Sequence, residues 1–146
     1  MQTIGERILL TLWVGVLWGV GYLAVPVLFA ELDDRMLAGR LAGEMFHLVS
    51  YIGLGAGALL LLAQLLRGGG RPGWRGWSLA AMVVLVGIGE FVLQPMMAEL
   101  KAGGLAEGSG QASEFAMLHG ISSTLYLIVS LAGLALVAVR PGSGGS

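Results

Sequence analysis

No cysteine occurs anywhere in the chain, which excludes disulfides, thiolate zinc sites, cysteine-ligated iron–sulfur clusters and a cysteine nucleophile. Charge is nearly as scarce. Asp, Glu, Lys and Arg make up 12% of the 146 residues, against about 25% in an ordinary soluble domain. The formal net charge is −1, so there is no basic surface to neutralise phosphates and nucleic acid is not a partner. A nucleotide-binding glycine loop, a zinc-protease motif and a recognisable catalytic triad are all missing, and the chain reads as a non-enzyme. What fills the space is apolar: 56% of the residues are hydrophobic. A soluble domain of this size cannot hide that much apolar surface, so lipid is the solvent the composition implies.

The apolar residues fall into four runs, at about residues 8–29, 41–66, 77–97 and 113–139. Each has the roughly 20 residues that a membrane-spanning helix needs. The predicted fold is therefore all-α: an integral membrane four-helix bundle, up-down-up-down, forming one domain over residues 1–140. The first run is longer than the core of a secretory signal and ends in Pro26-Val-Leu-Phe29, not in a small-residue cleavage site, so it reads as a retained span. Residues 31–40 and 98–113 read as polar loops, and residues 141–146 as a flexible tail or a cloning scar.

Orientation follows from the basic residues. Arg7, Arg67, Arg71, Arg75 and Arg140 fall on one side, and Arg35, Arg40 and Lys101 on the other. The positive-inside rule then predicts a bacterial inner-membrane protein with both termini and the 67–75 loop in the cytoplasm. Trp74 and Trp77 flank that loop as interfacial aromatics. Two glycine pairs, Gly15/Gly19 and Gly53/Gly57, have the GxxxG spacing that lets helices approach closely, within a bundle or as the contact of a homodimer.

A faint twofold repeat of helix pairs is visible. Pro26 near the end of the first span matches Pro95 near the end of the third, and His47 in the second matches His119 in the fourth, each followed three residues on by serine. The fourth span carries His119, Ser122, Ser123, Tyr126 and Ser130 on one helical face. Counting 1.5 Å per residue from the outer ends of the runs puts Tyr22, His47, Glu90 and His119 at a common depth of about 10 Å. Every helix thus offers one polar group to the same layer, with Gln94 beside it.

Four readings of this layer compete. Intramembrane His, Tyr and Ser often serve only as hydrogen bonds between helices, which would make the protein a structural or accessory subunit of a membrane complex. Glu90 resists that reading, because a charged acid at this depth costs on the order of 2.5–3.5 kcal/mol unless it finds a cation. A soft-metal site is the second reading, with His47, His119 and Glu90 as ligands and Met96 or Met97 as thioether donors suited to copper. The third is haem, held by His47 and His119 from facing helices. The fourth is an ion-transport site built around Glu90 and the histidines.

Pro26-Val-Leu-Phe29, Leu41-Ala-Gly-Glu-Met-Phe46, Gln94-Pro-Met-Met97 and His119-Gly-Ile-Ser-Ser123 together resemble the bacterial members of the transmembrane protein 205-like domain family. The resemblance covers about residues 8–139 in matching order. It implies a four-span membrane protein, mostly of unassigned function in bacteria. A eukaryotic relative is associated with platinum-drug resistance, which accords with soft-metal handling or export. It marks Gln94, Pro95, His119, Ser122 and Ser123 as motif residues, leaves His47 outside the motif, and implies no catalytic set.

Overall fold

The structure is a computed structural model in which residues 3–67 and 73–139 are described. It contains four long helices, α1 (Ile4–Glu31), α2 (Arg35–Leu66), α3 (Trp74–Ala102) and α4 (Gly110–Ala138), and no strand among the described residues. Each is long and apolar enough to cross a membrane, so the chain is a multi-pass membrane protein. Every helix packs on its neighbours in the chain, and α1 closes the ring against α4.

All four helices start earlier than the apolar runs, and α1 and α3 also run further, because hydrophobicity marks the lipid, whereas a cap marks the helix. Thr3 caps α1 in a capping box: its hydroxyl accepts from the Glu6 amide at 3.3 Å while Glu6 Oε2 accepts from the Thr3 amide at 3.2 Å. Asp34 Oδ1 accepts from the amides of Met36 and Leu37 at 2.9 and 3.1 Å, so α2 begins at Arg35. The acidic stretch 31–40, expected as a loop, is therefore mostly helix. Ser109 caps α4 in the same way, its hydroxyl accepting from Ala112 at 3.1 Å. The 98–113 connection shrinks to residues 103–109, where Gly104 and Gly108 turn the chain at φ +85° and +76°. Most of the 67–75 loop and the whole 141–146 tail lie outside the described residues.

Charged clamps hold the 67–73 end of the bundle. Glu6 at the start of α1 pairs with Arg67 just past α2. Arg75 at the start of α3 donates to the carbonyls of Leu136 and Val139 at 2.7 Å each, satisfying the exposed acceptors at the C-terminus of α4. Both contacts join the start of one helix to the end of another, which establishes the antiparallel order.

The main core lies between these clamps and mid-membrane. Trp13, 1% exposed, lays its indole over Gly53 and Gly57, and Val83 packs at Gly57 from α3. A Cβ added at Gly53 would lie 2.6 Å from Trp13 Nε1, so the glycine is needed for the indole to fit. The Gly53/Gly57 pair is thus consumed inside the bundle and is not free for a homodimer, whereas added Cβ atoms at Gly15 and Gly19 would meet nothing within 4 Å. A smaller cluster of Leu93, Met97 and Leu118 packs α3 on α4 toward the other end.

Two helices share one irregularity. In α1 the segment Gly19–Ala24 is a π-helix, and in α3 the segment Gly89–Leu93 is another. Each closes on a wide bond, Val25 N–H to Val20 O and Gln94 N–H to Gly89 O. Each is followed at once by a proline, Pro26 or Pro95. Proline has no N–H and its ring collides with the carbonyl one turn back, so a widened turn before it keeps the helix continuous. The sequence match of Pro26 with Pro95 therefore has a backbone counterpart in α1 and α3.

Candidate functional site

The π segment of α3 delivers Glu90 into the interior. Its side chain is 2% exposed, and its Oε1 meets Nδ1 of His47 on α2 in a hydrogen-bonded ion pair. The second carboxylate oxygen, Oε2, is buried with no hydrogen-bond partner among the described residues. His47 differs in setting: its side chain is 52% exposed, and its ring meets Tyr51 edge-on at 4.7 Å. Tyr51 in turn meets Phe91, beside Glu90, at 6.4 Å. One hydrogen serves the Nδ1–Oε1 contact, on either atom. An acceptor buried without a donor costs about 1–3 kcal/mol. Among the described residues the Trp13 indole N–H is likewise buried without a partner, but it is a donor and not an acceptor.

The π segment of α1 organises a different cluster, against α4. Gly21 has no Cβ, so the Tyr126 ring lies on the α1 backbone; an added Cβ would sit 2.8 Å from Tyr126 Cζ. That approach brings the Tyr126 hydroxyl to Leu17 O at 2.5 Å. The Ser130 hydroxyl donates to Tyr126 O at 2.7 Å and lies 2.7 Å from the Tyr22 hydroxyl, which serves as its donor. Trp18 Nε1 donates to Ser130 O at 3.2 Å. Each hydroxyl and the Trp18 indole N–H has a partner, and all the groups are neutral.

The single layer expected from helix counting is thus split. His47 and Glu90 meet, as their shared depth suggested. Tyr22 belongs with Ser130, not with Glu90. His119 joins neither cluster: it is exposed, stacked on Phe115 at 6.1 Å, and Lys101 sits over the far ring at 5.3 Å. The serine stripe divides too. Ser130 is fully buried, Ser122 is half-buried, and Ser123 is exposed with its hydroxyl turned back to His119 O at 2.8 Å. Gln94 is half-buried, and its amide closes the π turn.

Of the ligands suggested for a metal, only His47 and Glu90 are brought together. Among the described residues no three His, Asp or Glu side chains gather where a metal ion could be held. Met97 packs in the separate apolar cluster with Leu93 and Leu118, and Met96 is 41% exposed. His47 turns its Nδ1 to Glu90 and His119 stacks on Phe115, so the two imidazoles do not face each other across the bundle core. Helix rise fixes how deep a residue lies but not the direction it faces, so a shared depth did not bring His119 to Glu90. Trp18 was missed as a site residue although it sits one turn before Tyr22, the i,i+4 spacing that places both on one face.

No curated protein and no solved structure gives a match to the chain. A family profile does match, over residues 8–106, which is more than half of the chain. It takes in Pro26–Phe29, Leu41–Phe46, the His47–Glu90 pair and Gln94–Met97, and stops short of α4. The chain belongs to that family, described as a domain of unknown function, DUF4149.

Proposed function

We propose that this is a bacterial inner-membrane protein, both termini cytoplasmic, whose His47–Glu90 pair holds a small cation near the outer face. The family is read here as the bacterial branch of the transmembrane protein 205-like group, on the strength of its proline segments. One observation carries the ion-handling reading: a buried carboxylate, delivered by a π turn, has one oxygen in an ion pair and the other without a donor. A carboxylate oxygen beside a single imidazole suits a hard or borderline cation better than a soft one, since neither methionine joins the pair.

Purified protein should unfold at a higher temperature in the presence of the cation it binds, because a ligand held only by the folded state stabilises by about 2.7 kcal/mol at a hundred times its Kd. Screening alkali, alkaline-earth, zinc and copper(I) salts against wild type and Glu90→Gln makes the test. The expected result is a rise for one cation class in wild type that Glu90→Gln abolishes. A rise of equal size in both proteins, or none for any cation, defeats the reading. A second reading, an accessory bundle in which the pair only ties α2 to α3, draws support from the Glu6–Arg67 pair, which ties α1 to α2 at the other end. It predicts the absence of any cation effect.

A further inference from the structure

We infer that the His47–Glu90 site exchanges its cation with one membrane face only, that of the connections 32–34 and 103–109, and that the ion passes His47. This rests on the cation reading of the same pair. Four observations carry it. Glu90 is sealed, and the group it touches, His47, is half exposed, so the way out of the pair runs sideways through the imidazole. Toward the clamped end the packing is apolar: Val49, Ala56 and Leu60 of α2 and Leu79 and Met82 of α3 close on Trp13, all nearly or fully buried. A dehydrated cation has no polar step through that core. Toward the opposite end, the separate Leu93, Met97 and Leu118 cluster blocks the axial route between α3 and α4.

The fourth observation is a polar track on the outside of α2. Arg40, Glu44 and His47 are all exposed and lie at i, i+4 and i+7, one face of the helix. It leads from the water-facing start of α2 down to the imidazole. Below Tyr51 the same face continues as Leu54, Ala58 and Leu62. Helix length places the track. The 32 residues of α2 measure about 48 Å, and the hydrocarbon layer is about 30 Å thick. Measured back from Leu66, that layer ends close to His47. The imidazole therefore stands where water and hydrocarbon meet, with the acid behind it.

The absence of native cysteine makes a single introduced thiol a clean probe. His47→Cys, Glu44→Cys, a Glu31→Cys reporter on the near face and a Gly73→Cys reporter on the far face are each reconstituted into liposomes. A membrane-impermeant cationic methanethiosulfonate is then added to either side. His47→Cys should react at least about tenfold faster from the side that labels Glu31→Cys, a barrier difference of about 1.4 kcal/mol. Comparable rates from both sides, faster reaction from the Gly73→Cys side, or no reaction from either side overturns the inference. Glu44→Cys keeps the test open where His47→Cys does not fold, and it should show the same sidedness. Labelling reads access alone. One-sided access without a cation effect on stability defeats the cation reading and not the route, and two-sided access with a cation effect does the reverse.

Discussion

The α1–α4 and α2–α3 interfaces are built on one backbone device and use it in opposite ways. In both, a π turn ahead of a proline brings a helix against its neighbour. At α1 the turn presents Gly21, and the empty Cβ position receives Tyr126, whose hydroxyl, with those of Tyr22 and Ser130, has its partner. At α3 the turn presents Glu90, which brings an ionisable group inward and leaves one oxygen without a donor. A neutral, completed network stabilises packing and has nothing left to bind. An incomplete one that includes an acid costs stability wherever it is kept, and such costs are concentrated at working sites. The comparison supports a structural role for the first interface and is the ground for the cation site proposed at the second.

The largest expected effect tests the structural half. Gly21→Ala forces the Tyr126 ring off α1, combining overpacking of about 1–3 kcal/mol with a lost hydrogen bond of about 0.5–1.5 kcal/mol. Gly19→Ala, in the same π turn but with open space around it, should fall within about 0.5 kcal/mol of wild type. Reversible unfolding in mixed micelles compares the two. Equal costs would mean that the π turn itself, and not the seat for Tyr126, demands glycine.

Next in size is the coupling across each interface, measured by double-mutant cycles. His47→Ala combined with Glu90→Gln should depart from additivity by on the order of 0.5–3 kcal/mol, because the two groups touch. Tyr22→Phe with Ser130→Ala should couple by about 0.6 kcal/mol, the usual scale for a neutral hydrogen bond between membrane helices. A larger coupling at Tyr22–Ser130 than at His47–Glu90 would reverse the comparison.

Much of this was legible in the sequence, for physical reasons that also set the limit. Lipid demands long apolar helices with all backbone groups satisfied, so the number and order of spans follow from hydrophobicity alone. That Glu90 would meet a histidine was legible because a buried acid needs a cation and the depths agree, but depth did not choose between His47 and His119. The π turns were not, although Pro26 and Pro95 pointed to the places, since a proline permits a kink as readily as a widened turn. Each π turn adds a residue to one turn and rotates everything after it, so face assignments carried past Gly19 or Gly89 drift. Helix ends were misjudged where Asp34 caps outside the apolar run, because capping is a local hydrogen bond that hydrophobicity does not sense.

The smallest expected effect concerns His119, and it separates depth from contact. His119 lies at about the same depth as Glu90 by helix rise, yet it is exposed and stacked on Phe115, with no bond to the pair. If depth alone made the site, His119→Ala and Glu90→Gln would couple as His47 and Glu90 do. If contact makes it, the two effects should add within about 0.5 kcal/mol, and the single change His119→Ala should itself be small, as for an exposed side chain. His119→Ala should also leave the cation-dependent rise in unfolding temperature at its wild-type size, whereas His47→Ala should reduce it. A His119–Glu90 coupling as large as that of His47–Glu90 would bring α4 into the site and dissolve the distinction between the two interfaces. Additivity would confine the site to α2 and α3, where an acid on a π turn faces a half-exposed imidazole.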